Sequence, residues 1–279
     1  MIDITTKYLV QVFHTISDPI DERHWFLSPE QHALEFIYMN LTYILVIIFG
    51  SYLLKGRKSK ITVVNDKKDH ILVKLVALVL AINVIMNLIY KTSKSCRQLF
   101  FMLQPCHVVS CVYIFCLLTN NYQRGLKVFK VSIYMIFVTV AALVRPDTTD
   151  LTLQYEVLNF YIQHYALLFA PFILQIYRYN IEFEWGYALI SSGIFGIAHF
   201  FFFEIFSFIS GININYMLFP PPLGSFDHMV QETYRIIIAV LLFFLSWLLG
   251  LAVIKISNVL RPFLIGSAQS NPKLNKKTK

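Results

Sequence analysis

The chain has 279 residues, of which 57% are hydrophobic, 16% aromatic and only 14% charged, with a formal net charge of +8. Soluble domains carry roughly 25% charged residues, and several apolar runs here reach the ~20 residues that cross a bilayer. This pattern excludes an ordinary soluble domain. The basic residues lie in a few loops and one tail, so the charge does not argue for a nucleic-acid partner.

In chain order, residues 1–32 form an acidic N-terminal segment (Asp3, Asp18, Asp21, Glu22, Glu30) without the charged start and apolar run of a cleaved signal peptide. Seven apolar segments follow: Ala33–Leu54, Ile71–Tyr90, Leu99–Leu118, Leu126–Val144, Tyr155–Tyr177, Tyr187–Ile209 and Tyr234–Ile256. The expected fold is an all-α seven-helix transmembrane bundle over residues 33–260, closed by a polar, lysine-rich tail over 261–279. Most of the 24 Lys and Arg fall in loops of one side, among them Lys55, Arg57, Lys58, Lys67, Arg124, Lys127, Arg178, Lys255 and Lys276. By the positive-inside rule the N-terminus is then lumenal and the C-terminus cytosolic. The last residues, Lys276-Lys277-Thr278-Lys279, match a dilysine retrieval signal or a solvated anchor. The expected address is the endoplasmic reticulum membrane, with the Golgi as the neighbouring alternative. The sequon at Asn40 lies inside the first span and is expected to stay unglycosylated.

The four cysteines make no disulfide framework, because Cys106, Cys111 and Cys116 share one membrane segment with Cys96 just before it. No pair has zinc-ligand spacing, and no metal, nucleotide or other cofactor is expected. Chemistry concentrates in Leu103-Gln104-Pro105-Cys106-His107. Proline is accepted at the first position of a helix, so one reading starts the helix near Pro105 and puts the Cys106 thiol at its N-terminus. Partial positive charge there favours a thiolate, while burial opposes it. The plainer reading is an inert buried cysteine.

Depth distinguishes the two readings. At ~1.5 Å per residue, Cys106 and His107 lie about 10–12 Å below the lumenal surface, His164 about 13 Å and His199 about 15 Å. Three helices thus deliver one thiol and three imidazoles to nearly one layer. Asn83 and Asn87, spaced i, i+4, approach it from the second span. Interhelical hydrogen bonding explains any one of these residues, but not their common depth as simply. Asn213, Asn215 and Arg235 add polar groups at the lumenal rim, where a guanidinium suits phosphate or merely snorkels. Gln163 can donate into the layer, and Glu156 lies two turns from His164. A cysteine with a nearby base supports acyl transfer through a thioester, and a dry site protects that thioester from water.

The elements Pro105-Cys106-His107-Val108-Val109, Tyr161-Ile162-Gln163-His164, His199-Phe200 and Asn213–Leu218 occur in this order. Together they resemble the transmembrane protein 164 family, relatives of the bacterial YwaF-type membrane proteins, over residues 70 to 250. The resemblance implies an acyltransferase that moves polyunsaturated chains, such as arachidonoyl, onto ether lysophospholipids. It implies Cys106 as nucleophile, followed by His107, and His164 as base; the common depth and the polar rim add His107 and His199 as supporting donors and Arg235, Asn213, Asn215, Gln163 and Asn87 as substrate-side residues. The implied partners are phospholipid and lysophospholipid; with no nucleotide site visible in the sequence, the expected acyl donor is another phospholipid, by transacylation independent of coenzyme A, with acyl-coenzyme A as the open alternative. Two departures stand: Gln104 replaces the family's asparagine before the proline, and the acidic residue before the histidine motif is shifted by a short insertion. Two other classes share the topology. A seven-helix receptor is disfavoured because Thr119–Arg124 lacks the acidic-arginine pair and the seventh span lacks an asparagine-proline turn. A proton-coupled transporter would use buried histidines as relays, but no internal repeat is visible.

Overall fold

A computed structural model describes residues 2–17, 25–56, 70–149, 151–221 and 231–265. The basic residues from Arg57 to Lys68 and the tail from Lys273 to Lys279 lie outside the described residues, as do Asp18, Asp21 and Glu22. Among the described residues every regular element is helical. A short helix α1 (Ile2–Ile16) precedes the spans, and Phe13 stacks on Phe208 at 5.0 Å to hold it against the bundle. Among the described residues six helices are long and apolar enough to cross a membrane, α2 (Pro29–Leu54), α3 (Ile71–Lys94), α5 (Tyr122–Val144), α6 (Gln154–Tyr179), α7 (Trp185–Ser210) and α8 (Gln231–Ile265), and a bent pair between α3 and α5 is a seventh candidate. The bent pair is a 3₁₀ helix, Arg97–Leu103, followed by α4 (Pro105–Leu118), with a 58° change of direction between them.

Local chemistry sets several boundaries. Ser28 accepts from Gln31 N and Pro29 occupies the first turn, so α2 begins four residues before the expected Ala33. The third segment, expected as one span from Leu99 to Leu118, is broken at Gln104. The residue before a proline is pushed toward extended backbone, and Gln104 has φ −52° and ψ 138°. The second segment, expected to end at Tyr90, continues to Lys94. Glu156 serves the start of α6. Its Oε2 accepts from Thr152 N and Leu153 N, both at 3.0 Å, which caps the helix. It is not seen to orient His164.

Packing follows the reverse of a water-soluble protein. Leu45, Ile48, Leu241, Phe244 and Leu248 are exposed on α2 and α8, as lipid-facing helices require. The interior core gathers Tyr113, Leu117, Phe129, Tyr134, Leu167, Leu174 and Tyr179. Helices α2 and α7 approach closely through small residues. A Cβ on Gly193 would lie 2.4 Å from Ile47 Cγ1, and one on Gly196 2.3 Å from the Tyr43 ring. Asn40 joins the same pair of helices by donating to Phe200 O at 2.9 Å. Elsewhere Asn83 Nδ2 donates to Asn159 Oδ1 at 2.7 Å, tying α3 to α6.

Candidate functional site

One cavity of about 850 Å³ opens where the ends of α3, α5 and α7 meet the beginnings of α6 and α8. Its lining includes Cys106, His107, His164 and His199, brought there by α4, α6 and α7. Most of the wall is apolar, with Phe137, Val138, Ala141, Leu242 and Leu245 among its residues.

The break at Gln104 places the thiol. Its carbonyl accepts from His107 N at 2.9 Å and Val108 N at 3.3 Å, so α4 starts here and Cys106 is its second residue. The Gln104 side chain reaches away from α4, and its Oε1 accepts from Asn215 N at 3.1 Å. The substitution that sets this chain apart from the motif it resembles thus forms a tie between α4 and the loop after α7. In that loop Asn215 and Tyr216 both have positive φ, 50° and 62°, a conformation that non-glycine residues adopt at a cost.

Each histidine is held through Nδ1, and the partners differ. His164 Nδ1 lies 2.7 Å from Phe160 O. A carbonyl only accepts, so Nδ1 carries the proton and Nε2 the lone pair. His107 Nδ1 lies 3.0 Å from Gln163 Nε2, and His199 Nδ1 lies 2.8 Å from Asn215 Nδ2. An amide nitrogen only donates, so these two imidazoles accept at Nδ1 and carry their proton at Nε2. The cavity therefore holds one imidazole suited to take a proton and two suited to donate hydrogen bonds. Gln163 also donates to Ser110 Oγ at 3.0 Å, and Ser110 Oγ donates to Cys106 O at 2.8 Å. One glutamine thus links His107 to the backbone of the cysteine.

The remaining expected residues line the same cavity, each with a definite partner. Asn87 donates to Asn83 Oδ1 at 3.0 Å. Asn213 accepts from Leu218 N and donates to Phe219 O, both at 2.8 Å, so its amide shapes the loop. Arg235 is fully buried: Nε is 3.1 Å from Glu35 Oε2 and Nη2 is 3.0 Å from Glu204 Oε2. His32 Nδ1 lies 2.8 Å from Glu204 Oε1, and the guanidinium sits 5.1 Å above the Phe200 ring. Two carboxylates thus balance the arginine's charge inside the protein.

Sequence reasoning passes over Glu35, His32 and Glu204. A carboxylate in the middle of Phe200–Phe208 is the available signal, because ionisable residues inside a membrane rarely lack a role. It also misses Lys91, which is 5% exposed and lines the cavity, because the apolar run of the second span stops at Tyr90, one residue short. The contact between Tyr216 Oη and Asp147 Oδ2, 3.0 Å across the mouth, has no sequence signal.

Among the described residues, six apolar helices long enough to cross a membrane, with a bent pair as a seventh candidate, surround a largely apolar cavity and define a multi-pass membrane protein. The comparisons with known proteins then name its kind. The model of the TMEM164 family matches residues 26–252. The "Transmembrane protein 164 homolog" of Dictyostelium discoideum is 61% identical over 264 residues, covering 91% of this chain and 96% of that protein. The chain belongs to the TMEM164 family. No solved structure matches it.

Proposed function

We propose that the protein is a membrane phospholipid acyltransferase that works through a thioester on Cys106. One observation carries the reading: a thiol at a helix start shares a largely apolar cavity with three imidazoles whose fixed tautomers divide into one acceptor and two donors. The volume lies within the ~300–1,000 Å³ usual for small-ligand sites.

In this mechanism His164 Nε2 takes the thiol proton as Cys106 Sγ attacks the ester carbonyl of a donor phospholipid. The carbonyl π electrons move to oxygen, and the Nε2–H groups of His107 and His199 hydrogen-bond that oxyanion. Collapse breaks the ester C–O bond, and the leaving lysophospholipid oxygen takes the proton back from His164. The acyl chain is then on sulfur. An acceptor lysophospholipid hydroxyl gives its proton to the same Nε2, attacks the thioester and releases the thiolate, which is reprotonated. The apolar wall holds the acyl chain and keeps water from the thioester. The family resemblance supplies the finer substrate: a polyunsaturated, arachidonoyl-type chain moved to an ether lysophospholipid. The charge distribution of the loops supports a lumenal N-terminus and a cytosolic tail, and the dilysine-like Lys276-Lys277-Thr278-Lys279 supports residence in the endoplasmic reticulum.

The test uses purified protein in liposomes containing arachidonoyl-labelled phosphatidylcholine and an ether lysophospholipid. The expected result is labelled acceptor, together with hydroxylamine-sensitive label on wild-type protein that Cys106→Ala lacks. Transfer that persists at the full rate in Cys106→Ala removes the thioester. Absence of transfer together with pH-gradient-driven uptake favours the transporter class instead.

A further inference from the structure

A second hollow lies beside the cavity and shares part of its wall. It is a groove of about 440 Å³, lined by Phe183 and Trp185 where α7 begins and by Phe244, Trp247, Leu248 and Leu251 of α8. Phe244 and Leu248 are exposed on the outer face of that helix. Leu241 and Leu245, one turn apart on α8, line both the groove and the cavity that holds Cys106. The two hollows meet at this pair.

The groove takes over where the cavity stops. Away from the mouth, the lining of the cavity ends at Phe137 on α5, Ser192 on α7 and Ser246 on α8. A polar tie closes that end: Ser192 Oγ and Ser246 Oγ are 3.2 Å apart, and Trp247 Nε1 donates to Ser192 Oγ at 3.1 Å. An indole nitrogen only donates, so this bond fixes the ring. Trp247 is therefore a partition, with its nitrogen tied to the closed end of the cavity and its ring on the wall of the groove. Trp185 packs edge-on against it, 5.2 Å between centroids. At ~1.5 Å per residue of helix, the groove reaches about 8 Å beyond Ser246, as far as Leu251.

Chemistry restricts what can lie there. Among the described residues the side chains that line the groove carry no polar atoms except indole nitrogens, and a polar group placed there would lose its hydration without compensation. Hydrocarbon alone fits, and continuity with the cavity at Leu241 and Leu245 decides whose hydrocarbon it is. We infer that the groove along α8 is a distal acyl-chain subsite: the chain of the lipid in the cavity leaves past Leu241 and Leu245 and ends between Trp185 and Leu251. The inference deepens the acyltransferase reading and rests on it for the choice of an acyl lipid. It makes the two leucines the residues that decide how long a chain the site accepts.

The test is photolabelling of full-length Cys106→Ala protein in nanodiscs, so that no turnover intervenes. Two lysophosphatidylcholine probes share one long saturated chain and carry a diazirine either at mid-chain or at the chain end. The mid-chain probe is expected to label the cavity at Ala141 or Leu242, and the chain-end probe to label Trp185, Phe244 or Leu248. Excess unlabelled lysophosphatidylcholine should displace both labels. Leu245→Trp, which fills the junction, should lose the groove label and keep the cavity label. Leu248→Trp narrows the groove from an exposed position that the fold tolerates, and should lose the groove label as well. A groove label that survives the competitor or the filled junction comes from the surrounding bilayer, and overturns the inference. So does a chain-end label confined to the cavity in the Cys106→Ala protein without further substitution. Displaceable labelling of both hollows by a protein that transfers no acyl chain would refute the thioester mechanism and leave the chain path standing.

Discussion

Two polar groups are buried beside one cavity, and they are built on opposite terms. Around Arg235, carboxylates from α2 and α7 surround a guanidinium from α8, and each charge meets its opposite within about 3 Å. Around Cys106, the three imidazoles are tied at one nitrogen each, and that tie sets what the other nitrogen can do. The first arrangement consumes its own chemistry to hold three spans together. The second keeps chemistry in reserve. A membrane interior makes the distinction sharp, because neither group can fall back on water for a partner.

Four substitutions sharpen or break the comparison. The largest effect is expected from Cys106→Ala, which should reduce acyl transfer by about 10³-fold or more while melting at the wild-type temperature in detergent. Next is Arg235→Met, which strands two buried carboxylates; breaking such a group costs about 3–5 kcal/mol, read as lower thermal stability and yield. If Arg235→Met were as stable as wild type and had lost only lipid binding, the charge cluster would belong to the site rather than the scaffold. His164→Gln should slow transfer by about 10²–10³-fold, the range of a lost general base, with lipid binding retained. A rate above about a tenth of wild type in that variant would move the base elsewhere. The smallest effect is expected from Asn215→Asp. A carboxylate accepts from Nδ1–H, so it reverses the His199 tautomer and removes its Nε2 donor. Transfer should fall by about tenfold, and the nitrogen-15 shifts of His199 should report the change of tautomer.

The bundle is legible in the sequence because apolar length is a blunt signal. Seven segments stand out, and the start of α4 at Pro105 follows from proline's constraint alone. The depth argument groups Cys106, His107, His164 and His199, and all four line one cavity. What stays hidden depends on direction rather than depth. Helical rise places Lys91 and Lys94 at similar heights, yet one points inward and the other out. Nothing local shows that the Asn213 amide is spent on its own loop. The roles of the three histidines are equally invisible, because they hang on whether a carbonyl or an amide nitrogen meets Nδ1, and two of those partners come from other helices or loops.

The tie between Gln104 and Asn215 spans 111 positions of chain, and this bears on how the protein is made. During synthesis the segment holding the thiol enters the bilayer long before residue 215 has been translated. Until then the turn before α4 lacks its cross-brace, and His199 and its amide partner have yet to appear. A truncated or stalled product would therefore carry the sulfur without its setting. Under the proposed mechanism this is an order of assembly in which the thiol comes early and the parts that would direct it come last, so that half-made copies would stay chemically quiet.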